Sequence, residues 1–465
     1  MKRFLKFVPF LLMFVLTFGM QVYLDTENTY KPFLDPFGRE TQAGTMTPNR
    51  PPQVLGDDRY AWLHGPNLVI STVKAESKQV TEENRPLPDQ DIYSRTLFQL
   101  VGDDLFWIGK SSVLKHAVWQ NGKWSAPQEL GKEAESIYAA QVGGKRLLIA
   151  GVDQQLKVWN VAANGMQELR SFPAKRLVYV SGATGADNIL HVGAVDQTSE
   201  SNYELSYLTV DAAKGQVSDL TMTKELALSS GNMIYDSSFG IDKKNGYYLL
   251  TYKSNRRDNR QLYAFTFPLN KPAAVQEVKF EGADNQNIDF EFSYGAYPLQ
   301  GQGEDLPFVF SASYVKNPRS SGFEVFRSTL QGGKWKSDST ERLSNLHRVT
   351  LNPVITKHGE DTTVLFTQMS SYEDYQVWYN SDNRNYVSST NQLTKDDYLQ
   401  SAMSVPKYIG IAIISLFIAM AWPVLSYCYL IFYVLKNEDA LYDRPNRHLL
   451  IAVAIYLVSQ YWVFF

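Results

Sequence analysis

The chain has 465 residues, a formal net charge of −3 and a single cysteine, Cys428. Because nucleic-acid-binding domains usually carry a strongly basic surface, this charge balance argues against a nucleic-acid partner. A single cysteine also excludes an intramolecular disulfide and any metal site built from several thiolates.

An apolar stretch over residues 7–24 follows Lys2, Arg3 and Lys6. This pattern is typical of a secretory signal peptide or of an uncleaved signal anchor, and both imply export. The usual Ala-x-Ala cleavage site is absent, and the stretch is long enough for a bilayer core of ~30 Å. We therefore predict a signal anchor, a transmembrane helix, over residues 1–24. Residues 25–50 are polar, contain proline and show no clear period, which predicts a linker.

A repeated unit fills residues 51–395. Each unit has a short apolar run, a turn, a second apolar run, an aromatic-rich third run and usually a short fourth run, which in the seventh unit is Asn391-Gln392-Leu393. The turn and second run read, in order, GDDRYAWLHG, GDDLFWIGK, GGKRLLIAG, ADNILHVGA, KNGYYLLTY, GEDLPFVFSA and GEDTTVLFTQ. Their spacing of about 40–60 residues is typical of propeller blades. Small sheets of this kind bury both faces when several stack radially, so the sequence predicts an all-β, seven-bladed β-propeller.

Two tryptophans follow a tight turn and a lysine at matching positions of their units. They are Trp124, in NGKW, and Trp335, in GGKW. Exposed aromatic side chains at these positions could stack on the sugar rings of a glycan polymer. The alternative is packing between neighbouring blades, because the position recurs as apolar in a repeated unit.

Three arginines stand close together in the fifth unit, in the segment KSNRRDNR. Arg256, Arg257 and Arg260 could bind an anionic polymer or a phosphate group through paired donors. The alternative is a solvated hairpin tip, which is the usual role of a charge run.

Two more apolar stretches, residues 408–435 and 449–465, follow a polar connector over 396–407. A soluble helix rarely stays apolar on all sides over such a length, so residues 408–465 predict a hairpin of two transmembrane helices. Lysines and arginines before the first span and between the last two predict a cytoplasmic N-terminus and a cytoplasmic 436–447 loop. The predicted localisation is a multi-pass protein of the cell membrane with an extracytoplasmic propeller.

The repeat resembles the TolB-type β-propeller repeats of bacterial envelope proteins over about residues 51–395. The shared features are the Asp/Asn/Gly turn, the aromatic third run and a fourth run that ends in an acid and an aliphatic residue, as in Gln128-Glu129-Leu130. The complete Ser-Pro-Asp-Gly turn of that family does not occur. The resemblance implies a binding platform in the envelope.

The sequence contains no GxSxG, P-loop, HxH or HExxH motif, so we predict no catalytic residue, no metal site and no cofactor. The predicted function is a membrane-anchored propeller that acts as a binding or scaffold subunit of a cell-envelope complex, with a membrane or envelope protein as partner. The alternatives are a cell-surface enzyme that acts on glycan or peptide, and a ligand-sensing membrane protein.

Overall fold

A computed structural model describes residues 8–30, 36–47, 51–56, 58–93, 96–162, 165–254, 260–280, 288–299, 303–317, 320–344, 349–371, 374–395, 397–399, 401–403, 405–406, 410, 426–433, 436 and 445–464. The chain divides into two compact units. Residues 33–392 form the first, and residues 1–32 together with 393–465 form the second.

The described part of the first unit consists almost wholly of strands. In chain order they are β1 (Thr41–Met46), β2 (Gln53–Gly56), β3 (Arg59–His64), β4 (Asn67–Lys74), β5 (Gln79–Pro86), β6 (Phe98–Val101), β7 (Asp104–Ile108), β8 (Leu114–Gln120), β9 (Lys123–Trp124), β10 (Gln128–Gly131), β11 (Ser136–Val142), β12 (Lys145–Val152), β13 (Gln155–Ala162), β14 (Gly165–Pro173) and β15 (Leu177–Thr184). They continue as β16 (Ile189–Gln197), β17 (Asn202–Asp211), β18 (Gln216–Val217), β19 (Thr221–Ala227), β20 (Asn232–Ile241), β21 (Asn245–Ser254), β22 (Arg260–Pro268), β23 (Gln276–Val278), β24 (Ile288–Pro298), β25 (Asp305–Asn317), β26 (Ser320–Gln331), β27 (Lys334–Arg342), β28 (Thr350–His358), β29 (Asp361–Met369) and β30 (Tyr375–Ser381). The helices are α1 (Val8–Tyr30), α2 (Arg384–Thr390) and α3 (Pro445–Phe464), and a 3-10 turn covers Ala75–Ser77.

These strands form seven antiparallel sheets over the described residues, which confirms the predicted seven-bladed, all-β propeller. Blades 1 to 6 begin at β2, β6, β11, β15, β20 and β24, and blade 7 begins at β28. The first strand of each blade contacts the first strand of the next, and the circuit closes where β28 contacts β2. All seven predicted turns lie between the first and second strands of a blade.

The turn between β11 and β12 shows why these sequences form tight hairpins. Gly143 has φ 54° and Gly144 has φ 79°. Two consecutive residues with positive φ give the backbone twist that a two-residue hairpin favours, and glycine adopts this conformation without strain.

The core is divided among the blade interfaces. Seven clusters of buried apolar side chains occur among the described residues, and each lies between two neighbouring blades. Phe106 of blade 2 and Leu148 of blade 3, for example, are fully buried in the same cluster. Burying a side chain of this size contributes about 1.5–3 kcal/mol, so the stability of each blade depends on its neighbours.

Blade 7 is completed from the N-terminal side of the propeller. The sheet order is β1-β30-β29-β28, so its outermost strand comes from the segment that the sequence predicted as a linker. Residues 391–393, predicted as the fourth run of this unit, instead follow α2. The hydroxyl of Tyr386, on α2, donates to the carbonyl of Arg39 at 2.5 Å and fixes the entry to β1. Tyr60 of blade 1 and Thr356 of blade 7 share a hydrogen bond of 2.6 Å, which bridges the closure.

The alternation of antiparallel strands gives the propeller two faces. We call upper the face with the turns between second and third strands and the connections from one blade to the next. The lower face has the turns between first and second strands, and there the chain enters β1 and leaves β30.

The second unit contains α1, α3 and a helical segment at 426–433. Ser426 donates its hydroxyl to the carbonyl of Ala452 at 2.8 Å, and the rings of Tyr433 and His448 stack at 3.8 Å. These contacts join the 426–433 segment to α3.

The prediction of three transmembrane helices is wrong. Among the residues described, no helix combines the length and the apolar character needed to cross a membrane. Most of residues 408–435, the other predicted span, lies outside the described residues. The same finding overturns the predicted signal anchor and multi-pass localisation.

Candidate functional site

Exposed apolar side chains of the propeller concentrate on its upper face. Among the described residues of the propeller, Tyr93 (40% exposed), Met233 (40%), Tyr235 (41%), Met369 (36%) and Met222 (54%) are the large apolar side chains that solvent reaches most. The first four lie on upper connections or at the upper ends of strands, and Met222 lies on β19, an outer strand of blade 4. Such a one-sided distribution is typical of a binding face.

Two cations lie over the ring of Tyr235. The guanidinium of Arg260 lies 4.1 Å from the centroid of the Tyr235 ring, and the ammonium of Lys253 lies 5.8 Å from it. The two cations are brought together because Lys253 and Arg260 pair in register across the β21–β22 hairpin. Cations over an aromatic face are attracted by its quadrupole, so the ring presents both an apolar surface and positive charge.

Tyr235 is held from blade 4. The hydroxyl of Tyr179 donates to the backbone carbonyl of Tyr235 at 2.5 Å. On blade 7, burial raises the pKa of the Tyr375 hydroxyl, and a smaller electrostatic contribution from Tyr235 raises it further. Met369 pairs with Tyr375 in the β29–β30 ladder. We call Met233, Tyr235, Lys253, Arg260 and Met369 the upper patch.

A cleft of about 320 Å³ opens elsewhere on the upper face, between blades 2, 3 and 4. We call it the upper cleft. Its floor is apolar: Val152 and Leu177 are 1% and 5% exposed and lie beside Gly151. Its rim is polar and includes Ser112, Glu133, Glu135, Gln154, Gln155, Lys175 and Arg176.

The walls of the upper cleft are joined by backbone hydrogen bonds. Ala134 N–H donates to the carbonyl of Ser112 at 2.8 Å, and Asp153 N–H donates to that of Lys132 at 2.8 Å. Ala174 N–H donates to the carbonyl of Gln154 at 3.0 Å. Because each bond links two different upper loops, the cleft is preorganised.

The rim has two acidic and two basic side chains, and one of each forms an ion pair. Arg176 Nε donates to both carboxylate oxygens of Glu135, at 2.8 and 2.7 Å, and this contact raises the pKa of the guanidinium. Gln154 Nε2 donates to Glu133 at 3.3 Å, and Lys175 Nζ donates to the carbonyl of Thr198 at 3.1 Å. The rim therefore offers many hydrogen-bonding groups without a marked net charge. In the described part of the chain, no group of three His, Cys, Asp or Glu side chains could hold a metal ion.

Of the five residues that the sequence singled out, the structure describes three, and these three lie at different places. Arg260 belongs to the upper patch, whereas Arg256 and Arg257 lie outside the described residues. Trp124 donates its indole N–H to the carbonyl of Pro86 at 2.6 Å and packs on the cluster between blades 1 and 2. Trp335 packs on the cluster between blades 5 and 6.

Sequence reasoning missed Met233, Tyr235 and the whole upper cleft. Met233 and Tyr235 stand in a strand that reads as ordinary repeat sequence, and their exposure depends on the neighbouring blades. The rim of the cleft comes from four separate loops. The one local signal is Asp153-Gln154, because a tight hairpin turn usually carries glycine or asparagine there.

No protein-family model matches the sequence, and a search of curated proteins finds no match. Among solved structures the chain is similar to the Pan2 WD40 domain of Neurospora crassa, at 11% identity and a TM-score of 0.40, covering 75% of this chain and 97% of that one. It is also similar to the N-terminal domain of Nup159, at 12% identity and a TM-score of 0.37, covering 75% and 97%. A third similar structure is an α-L-arabinanase of Penicillium chrysogenum complexed with arabinobiose, at 8% identity and a TM-score of 0.37. The match covers 51% of this chain and 76% of the arabinanase. Similarities this weak assign neither a family nor an activity.

Proposed function

We propose that the propeller is a scaffold subunit that docks a protein partner on its upper patch. The observation that carries this proposal is the concentration of exposed apolar side chains on that one face, beside Lys253 and Arg260. The partner presents apolar side chains to Met233 and Tyr235.

The composition of the patch supports a protein partner. Tyrosine, methionine and arginine are enriched in protein–protein interfaces, and tyrosine and arginine supply many of the residues that dominate binding energy. The patch also rests on strands of a closed ring, so little order has to be gained on binding.

The TolB-type resemblance of the repeat narrows the proposal further. We propose that the partner is a protein of the bacterial cell envelope and that the propeller belongs to a complex there. This step rests on the sequence pattern alone.

Affinity purification from the native host tests the docking surface. The full chain is compared with the double variant Tyr235→Ser/Arg260→Ser and with the control Met222→Ser, which removes a more exposed apolar side chain from β19. The partner is identified by quantitative mass spectrometry as the protein recovered in constant ratio to the bait.

We expect the control to retain the partner and the double variant to bind it at least about 30-fold more weakly, since residues of this kind often contribute about 2 kcal/mol or more each. Equal recovery with all three baits would show that the patch is not the docking surface. A circular-dichroism melt of each bait separates loss of binding from loss of folding.

A further inference from the structure

The upper cleft combines an apolar floor with a rim of hydrogen-bonding groups. Val152 and Leu177 supply the floor, and Gln154, Gln155 and Ser112 supply uncharged donors and acceptors at the rim. Its volume of about 320 Å³ lies at the small end of the range of ligand pockets. A ligand that matches this arrangement is small and makes most of its contacts through uncharged hydrogen-bonding groups.

Backbone strain is concentrated at the same place. Ser112, Glu133, Asp153 and Gln154 all have positive φ, at 55°, 51°, 53° and 58°. Side chains other than glycine rarely adopt this conformation, and residues held in it cluster at ligand-binding sites. Three of these four residues line the cleft, and Asp153 adjoins it.

We infer that the upper cleft is a binding site for a neutral saccharide ring. Such a ring lies over the buried residues of the floor, and its hydroxyl groups exchange hydrogen bonds with Gln154, Gln155 and the Glu135–Arg176 pair. Hydroxyl groups both donate and accept, as do the amides of the rim, so neither partner leaves a polar atom unpaired.

The balanced charge of the rim favours a neutral ligand over an anion or a cation, because two acidic and two basic side chains line the cleft. Arg176 engages Glu135 through two hydrogen bonds and also donates to the side chain of Gln197 at 3.0 Å. A charged ligand that binds at this pair would have to compete with one of its members. A hydroxyl group can accept from Arg176 or donate to Glu135 without breaking the pair.

The saccharide site is separate from the upper patch. Saccharide binding in the cleft and protein docking on the patch can therefore be tested, and contradicted, independently. The full-length chain is screened by saturation-transfer NMR against a library of defined neutral mono- and oligosaccharides. Those that bind are then titrated by calorimetry. Tyr235→Ser, which tests the docking surface, is expected to leave saccharide affinity unchanged.

Gln154→Gly is the central variant, with Asn188→Gly as its matched control. Both residues are exposed, both have φ 58°, and Asn188 lies in a lower-face turn of blade 4. Glycine suits both turns, so both variants are expected to fold and to melt at the wild-type temperature or above. Gln154→Gly also removes an amide from the rim, and we expect about 10-fold weaker saccharide binding. Asn188→Gly is expected to bind as the wild type does.

Gln155→Ala provides a second probe of the rim and is expected to weaken binding in the same direction. The inference is overturned if no saccharide binds at millimolar concentration, or if both glycine variants bind with wild-type affinity. A parallel screen of short peptides covers the competing ligand class. If a peptide binds the wild type but not Gln154→Gly, and no saccharide binds, the cleft is a site of protein recognition. That outcome would also overturn the inference.

Discussion

Gln154 occupies the second position of the tight turn between β12 and β13 with φ 58°. A non-glycine residue in the left-handed region costs roughly 1–2 kcal/mol, so Gln154→Gly is expected to raise the free energy of unfolding by about 1 kcal/mol. Gln154→Ala keeps the β-carbon and is expected to give no such gain. Urea denaturation of both variants checks this, and equal free energies for glycine and alanine would show that the turn is unstrained.

Asp89 and Lys115 form a partly buried ion pair on the upper face, with 2.8 Å between Lys115 Nζ and Asp89 Oδ2. Burial alone would raise the pKa of the Asp89 carboxyl, but the hydrogen bond from Lys115 and two backbone N–H groups hold it below its ordinary value. A carboxyl with a lowered pKa in the folded state stabilises the fold above its ordinary pKa, and this stability is lost as the pH falls below about 4.

Asp89→Asn is therefore expected to lower the free energy of unfolding by up to about 1 kcal/mol at pH 7. The difference from wild type should shrink as the pH falls toward 3, because protonation then removes the wild-type charge too. Asp219→Asn, which breaks the more exposed pair with Arg170, is the control and is expected to have no measurable effect. A difference that stays constant from pH 7 to pH 3 would contradict this account of Asp89.

At the scale of elements, a buried carboxylate links blade 2 to blade 3. Asp104, at the start of β7 and 3% exposed, accepts from His116 Nε2 at 2.7 Å and also pairs with Arg146 of β12. Removing one partner of a buried charge is costly, so Arg146→Met is expected to destabilise the protein by about 2 kcal/mol, less than for a fully buried pair. The exposed neighbour Lys145, changed to Met, is the control. Thermal and urea unfolding measure both, and equal stability would contradict a structural role for the link.

The elements that the sequence predicted well are those with a local signal. Each first turn carries glycine, aspartate or asparagine between two apolar runs, and all seven turns were found this way. β1 carries no such signal: TQAGTM is polar and has no period, and it becomes a strand because β30 leaves an edge unpaired. The sequence pattern instead predicted residues 391–393 as the fourth strand of blade 7, because they resemble the closing run of the other units.

The ring closes through β1, so the strand is expected to stabilise blade 7 as a whole. Thr45→Pro places a proline within the β1–β30 pairing, where Thr45 is opposite Gln376. We expect faster hydrogen exchange in β28–β30 and a lower melting temperature, while the amides of β11–β14 serve as the internal reference. Unchanged exchange in blade 7 would show that β1 is dispensable.

At the scale of the molecule, the binding face could not be predicted because it forms only when blades meet. Arg260 was singled out from its own segment, yet its ring partner Tyr235 comes from β20, two strands earlier in the chain, and Met369 from a blade two positions away. Trp124 and Trp335, chosen for their repeated position, pack against the clusters between blades. Repeat position predicts packing well, whereas the exposure of a side chain depends on distant parts of the chain.

Site-specific photo-crosslinking in the native host tests the central claim most directly. A photoreactive amino acid replaces Met233 or Met369 on the upper face, Lys243 on the lower face, or Met222 on β19, one position at a time. The account predicts that Met233 and Met369 both crosslink to the same protein and that Lys243 and Met222 do not. Crosslinks to a constant partner from Lys243 alone, or none from Met233 and Met369, would contradict the upper patch as the docking surface.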